Sequence, residues 1–243
     1  MGNGTVWAVV PVKPFRDAKF RLAPVLDPGE RAALARVMLE DVLGVLAASA
    51  DRLAGVMVLT ADREAAATAR RFDAAVLVET APAGLNGAVT IAAAHVAENA
   101  AAGMLVIPGD LPHLSGAAIA QITDLLDAPR SVALLPASGD AGTNLFACRP
   151  ANVIPPRFGP SSFKRHVAET RRAGITARVL TCPRLGRDID RPDDLAAFLA
   201  MGTATRTHAY LSTLEIADRL LRRPVHHEGT KFTKNTISLG QRA

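Results

Sequence analysis

Val6-Trp7-Ala8-Val9-Val10-Pro11-Val12-Lys13-Pro14 opens the patterned part of the chain. Seven apolar residues run without a polar break and stop at a lysine and a proline. A strand with one wet face alternates in polarity; an unbroken run is covered on both faces, the mark of a parallel sheet. Outward from this run the same sign recurs at residues 55–60, 74–78, 103–107 and 131–136. Helical patterns separate the runs. Asp27-Pro28 supplies an N-cap and a first-turn proline, and Leu34, Val37, Met38, Val42, Val45 and Leu46 then share one helix face. Further helices are predicted at 62–72, 86–101, 115–126, 161–173 and 192–200, and a further strand at 175–181. Residues 143–148 follow a strand with no helix between, which predicts an antiparallel strand at a sheet edge. The alternation defines an α/β domain with a mostly parallel sheet and helices on both faces. Such sheets bind ligands beyond the carboxyl ends of their strands, where strand order switches.

The 243 residues are 49% hydrophobic and 21% charged, which excludes wholesale disorder. Only 4% are aromatic, too few for a platform that stacks nucleic-acid bases. Two cysteines, Cys148 and Cys182, make neither a disulfide framework nor a four-cysteine zinc site. A cytoplasmic protein is expected, since Met1-Gly2-Asn3-Gly4-Thr5 lacks a basic leader and no long apolar run spans a membrane. The net charge is +5, and most of the excess follows Thr205. There Arg206, Arg219, Arg222, Arg223, Lys231, Lys234 and Arg242 outnumber Glu215, Asp218 and Glu228. Basicity is thus a property of the tail and is no sign of nucleic-acid binding by the domain. The division expected is a domain over 1–203 and an extension over 204–243, the latter one helix at 210–223 and then disorder.

Six stretches carry candidate chemistry. Lys13, Arg16, Lys19 and Arg21 crowd the loop after the first strand, a placement suited to a polyphosphate. Pro108-Gly109-Asp110-Leu111-Pro112 puts a carboxylate on a stiff turn at a strand end, as a metal ligand or a plain turn residue. Asp188-Ile189-Asp190 would aim two carboxylates to one side of an extended segment, where a cation relieves their repulsion; alternatively one of them caps the last helix. Gly142-Thr143-Asn144 offers neutral donors, or a simple hairpin turn. Gly159-Pro160-Ser161-Ser162 opens a helix whose free N–H groups suit a phosphate or carboxylate, with Ser161 or Ser162 as cap. Gly84-Leu85-Asn86 lets backbone approach a flat ring, with Asn86 reading a base or capping a helix. His95, His113 and His166 are scattered, and the P-loop, GxGxxG and GxSxG patterns are absent.

In this order, residues 7–13 with Ala18-Lys19-Phe20-Arg21-Leu22, Gly84-Leu85-Asn86, Gly109-Asp110-Leu111-Pro112, Gly142-Thr143-Asn144, Phe158-Gly159 with Ser162-Phe163, and Asp188-Ile189-Asp190 resemble one family. It is the CofC/FbiD family of guanylyltransferases, in biosynthesis of the deazaflavin coenzyme called factor 420. Phe20 stands where the family has a small polar residue and Gly109 where alanine is common; neither change removes a charge. The resemblance covers residues 6–199 and implies a single Rossmann-like nucleotidyltransferase domain. It also implies transfer of GMP from GTP to phosphoenolpyruvate, 3-phospho-D-glycerate or 2-phospho-L-lactate, with release of pyrophosphate and with Mg2+ as cofactor.

By motif match, Lys13, Lys19 and Arg21 would bind the GTP phosphates, and Gly84 and Asn86 would lie near guanine. Thr143, Asn144, Gly159 and Ser162 would hold the acceptor, and Asp110 with Asp188 or Asp190 the metal. Lys13, Arg21 and Asp110 would carry catalysis. The partners implied are GTP and a small phosphorylated carboxylic acid, with neither nucleic acid nor membrane; the oligomeric state, a homodimer included, stays open. Two other readings stand beside it: another nucleotidyltransferase, such as a cytidylyltransferase, and a non-catalytic nucleotide binder on the same fold.

Overall fold

The computed structural model describes residues 5–78, 84–98, 103–137, 141–182, 185 and 189–221. Seven strands form one sheet among them: β1 Val6–Pro11, β2 Leu53–Thr60, β3 Ala75–Val78, β4 Gly103–Val106, β5 Ser131–Pro136, β6 Thr143–Arg149 and β7 Arg178–Val179. Their order is β3-β2-β1-β4-β6-β5-β7, and only β6 runs antiparallel to its neighbours. The helices are α1 Pro28–Ala48, α2 Arg63–Arg70, α3 Gly84–Glu98, α4 Gly116–Asp124, α5 Ser162–Arg172, α6 Pro192–Ala200, α7 Arg206–Ser212 and α8 Ile216–Leu221.

The unbroken apolar runs divide between two cores with period two. Ala8, Val10, Leu105 and Ala133 face α1, α2 and α4. Val9, Met104, Val106 and Phe146 face α3 and α5. Asp27 caps α1 as read from sequence: it accepts from Glu30 N–H at 2.8 Å while Glu30 Oε2 accepts from Asp27 N–H at 2.9 Å.

Three expectations are corrected. β6 is antiparallel but lies inside the sheet, between β4 and β5, because Leu145 to Cys148 are apolar on both faces and fully buried. The strand expected at 175–181 is only two exposed residues, Arg178 and Val179, on the outer edge. The single helix expected at 210–223 is two short ones, broken at Thr213–Glu215, where Glu215 takes a positive φ of 48°; residues 222–243 lie outside the described chain.

These two helices pack onto the domain. Leu211 and Ile216 join Leu22, Leu26, Leu34, Met38, Ile189, Leu195 and Phe198 in a third core, which lies under the loop after β1. Arg219 grips Glu30 with two bonds of 2.7 and 2.8 Å. Asp41 of α1 serves as a remote cap for α7, accepting from Arg206 N–H at 2.9 Å and from Thr207 N–H and hydroxyl at 2.8 and 2.7 Å. Thr207 is fully buried, so removing its acceptor strands donors out of reach of water. Asp41→Ala should therefore lower the unfolding free energy by about 1–3 kcal/mol in urea titrations; an unchanged midpoint would mean that the tail does not dock.

Candidate active site

Strand order turns between β1 and β4: the chain goes from β1 outward through β2 and β3, then returns to β4 on the other side of β1. The loops leaving the carboxyl ends of β1 and β4 therefore meet. After β1 the chain makes two 3-10 turns, Phe15–Asp17 and Phe20–Leu22. Phe15 and Leu22 are buried and fasten the loop at both ends, and Phe15 N–H donates to Asp62 Oδ2 at 2.7 Å. Between them Lys19 takes a left-handed backbone with φ of 53°. That conformation is uncommon for a side-chain-bearing residue and clusters at functional sites.

Lys19 points inward. Its Nζ donates to Asp110 Oδ2 at 2.6 Å and to Asp190 Oδ1 at 2.9 Å. Its side chain is 4% exposed, whereas those of Asp110 and Asp190 are 42% and 43% exposed. The carboxylates thus open to solvent above a cation held beneath. Burial works against the Lys19 ammonium, but the charges and hydrogen bonds of Asp110 and Asp190 outweigh it and hold its pKa above the ordinary lysine value. Desolvation pulls Asp110 the other way. The charge and hydrogen bond of Lys19, with the charge of Lys13, bring its carboxyl below the usual range. Arg21 sits 3.9 Å from Asp190 Oδ2 and is 69% exposed; Lys13 is exposed as well.

The turn carrying Asp110 presses on the core. A Cβ on Gly109 would come within 3.2 Å of the Leu39 and Val12 side chains, which would have to give by a few tenths of an ångström. Asp190 is fixed by the buried Ile189 before it, while Asp194 accepts from the N–H groups of Asp190 and Arg191 at 3.0 and 2.7 Å. The Asp190 carboxylate is therefore free of capping duty and faces Lys19. Asp188 lies outside the described residues. Among the described residues no group of three or more acidic, histidine or cysteine side chains gathers around one point.

A second cluster forms at the same end of the sheet. Phe146 of β6 pairs with Val106 of β4, so Thr143 falls beyond the end of β4, on the side where Asp110 emerges. The β5–β6 register slips between Leu135 and Pro136: Leu135 faces Leu145 but Pro136 faces Thr143, leaving Asn144 as an extra residue. Such a bulge re-aims side chains. Thr143 is turned toward α5, where Ser162 Oγ donates to its Oγ1 at 3.1 Å and His166 Nδ1 lies at 3.0 Å. Asn144 reaches the Leu185 carbonyl at 2.8 Å. Gly159 precedes α5 with φ of 115°, a value that favours glycine. Asn86, read as a base contact or a cap, clasps the Phe158 backbone, donating to its carbonyl at 3.1 Å and accepting from its N–H at 2.7 Å. It thereby ties Gly84 and the start of α3 to the Gly159 loop.

His166, one of the scattered histidines of the sequence, stands at the centre of this cluster. It follows Ser162 by four residues, so both occupy one face of α5, and that spacing is the signal that could have found it. The ring is fully buried, and burial, the Arg165 and Arg157 charges, and a smaller opposing effect of Glu169 leave its pKa pushed down to about 4.

Fold and site together make a Rossmann-like α/β domain, a mostly parallel sheet with a cationic loop and carboxylates at its switch point, and the relatives that share it are nucleotidyltransferases. The family described as guanylyl transferase CofC like matches residues 6–227, and the chain belongs to it. The match extends past the span covered by the motifs and takes in α7 and α8. A phosphoenolpyruvate guanylyltransferase of Roseiflexus sp. (strain RS-1) is 40% identical over 190 residues, covering 78% of this chain and 83% of the relative. A 3-phospho-D-glycerate guanylyltransferase of Phenylobacterium zucineum (strain HLK1) is 37% identical over 213 residues, covering 86% and 96%. A crystal structure from Desulfovibrio desulfuricans G20, assigned as a nucleotide-diphospho-sugar transferase, shares the fold with a TM-score of 0.73 at 18% identity, covering 89% of this chain and 98% of that one.

A histidine whose folded pKa is about 4 against an ordinary 6.5 makes stability pH-dependent. Through that window the unfolded chain binds a proton that the folded chain refuses, so stability falls as pH falls, by ~1.4 kcal/mol per unit. Urea unfolding between about pH 6 and pH 4.5 should show this slope, and His166→Asn should lack it; equal slopes would place His166 in contact with water.

Proposed function

We propose that the chain transfers GMP from GTP to a phosphorylated three-carbon carboxylic acid and releases pyrophosphate, in factor 420 coenzyme biosynthesis. The observation that carries the reading is the convergence of Asp110 and Asp190 on the one Lys19 ammonium, at the sheet end where Thr143 and Ser162 also emerge. The acceptor's phosphate is already ionised and needs no base. One of its oxygens attacks the α-phosphorus of GTP; the new O–P bond forms as the bond to the bridging oxygen breaks, and that electron pair leaves with pyrophosphate. The obstacle is charge. Two like charges 4 Å apart at an effective dielectric of ~20 repel by about 4 kcal/mol. Lys13 and Arg21, the exposed cations beside the pair, offset such terms along the triphosphate, while Lys19 from beneath balances Asp110 and Asp190; Thr143, Ser162 and the Gly159 loop orient the acceptor.

The carboxylate pair fits a hard divalent ion, because its donors are all oxygen and already gather on one positive centre. Asp110 and Asp190 would hold magnesium, with Asp188 as the further ligand expected from sequence. Bound there, magnesium would neutralise phosphate oxygens and stabilise the leaving group. A cytoplasmic setting suits the free thiols Cys148 and Cys182.

The test is a turnover panel: GTP, CTP and ATP, each with phosphoenolpyruvate, 3-phospho-D-glycerate or 2-phospho-L-lactate, with pyrophosphate and product mass read out. A guanylylated three-carbon acid is expected, lost on chelation of divalent metal. Asp110→Asn should lower turnover by about 100-fold or more. Pyrophosphate release from CTP or ATP but not GTP would overturn the reading.

A further inference from the structure

Direction in the buried cluster follows from one backbone bond. The N–H of Arg157 can only donate, and it donates to His166 Nε2 at 2.8 Å. A neutral imidazole that accepts at Nε2 carries its proton on Nδ1. Nδ1–H therefore donates to Thr143 Oγ1, 3.0 Å away. Thr143 and Ser162 then share one further hydrogen bond, of 3.1 Å, which uses one of their two hydroxyl protons. The other proton remains, and the ring cannot accept it. The hydroxyl pair is thus left with one donor not used within the cluster, the polarity an anion requires.

The ring is held for this task. It is wedged between Phe146 and Phe158, with centroids at 4.7 and 5.0 Å. Burial and the charges of Arg165 and Arg157 disfavour the imidazolium and outweigh the opposing charge of Glu169; its second proton would also displace the Arg157 N–H. Because Arg157 lies two residues before Gly159, the ring also links the Gly159 loop to Thr143.

We infer that His166 is a positioning residue for the acceptor: its neutral, Nδ1-protonated ring fixes the Thr143–Ser162 pair as a donor to the acceptor's phosphate or carboxylate. The inference rests on the proposed function, in which Thr143 and Ser162 hold the acceptor.

Two substitutions divide the ring's two bonds. In His166→Asn the side-chain amide retains a donor near Nδ1 and loses the acceptor for Arg157. In His166→Gln the amide reaches the Nε2 position and loses the donor to Thr143. With pyrophosphate release as readout, His166→Gln should raise the acceptor KM about ten-fold or more, with the GTP KM and kcat little changed. His166→Asn, which keeps the donor to Thr143 and loses only the Arg157 bond, should raise the acceptor KM several-fold less than His166→Gln. Equal effects of both variants, or a rise in both KM values together, would overturn the positioning role. Thr143→Val separates the underlying reading. If its acceptor KM is unchanged, the acceptor does not bind at Thr143; if its KM rises while that of His166→Gln does not, the fault lies with His166 alone. Should His166→Gln fail to fold, nitrogen NMR of the wild-type imidazole decides. An Nδ1-protonated ring at neutral pH supports the inference, and an Nε2-protonated ring refutes it.

Discussion

A lysine ammonium withdrawn from water needs negative partners, and Lys19 finds two, one from each half of the chain. Removing an ion from solvent is expensive by several kcal/mol, and the attraction returns this only when geometry and hydrogen bonds are good. Here both bonds are short, and the carboxylates keep open faces toward solvent. The arrangement requires the β1 and β4 loops to be neighbours, which the strand order provides. It also requires the segment before α6 to return to the same place, which the buried Ile189 enforces.

The loop bearing Lys19 is short of regular structure, and its rigidity is borrowed. Leu22, Val25 and Leu26 lie in the third core with residues of α6, α7 and α8. Arg219 reaches both the Val25 carbonyl, at 3.2 Å, and Glu30. The tail that reads as an appendage thus supports the floor of the cationic loop, in line with a family match that runs to residue 227.

Strand positions were legible because residues 6–12, 103–107 and 131–136 are continuous apolar runs, and a buried parallel strand leaves little else. The place of β6 was not legible, since the same apolar run suits an edge or a centre until its neighbours are known. The sequence offers Lys19 as a phosphate-binding cation; its pairing with Asp110 and Asp190 is a contact across 91 and 171 residues that no local pattern encodes. Asn86 reads as a base contact or a cap, and the structure gives its amide to the Phe158 backbone, again a non-local bond. The bulge at Asn144, which turns Thr143 toward His166, breaks the alternation that a reader of strands relies on.

The charge contact between Lys19 and Asp110 is measured directly by a double-mutant cycle. Lys19→Met, Asp110→Asn and the double variant would be unfolded in urea in metal-free buffer. The two substitutions should prove non-additive, with a coupling above about 1 kcal/mol, because either one alone already removes the contact between them. Additivity within about 0.5 kcal/mol would mean that the two side chains do not meet, and the site would have to be rebuilt.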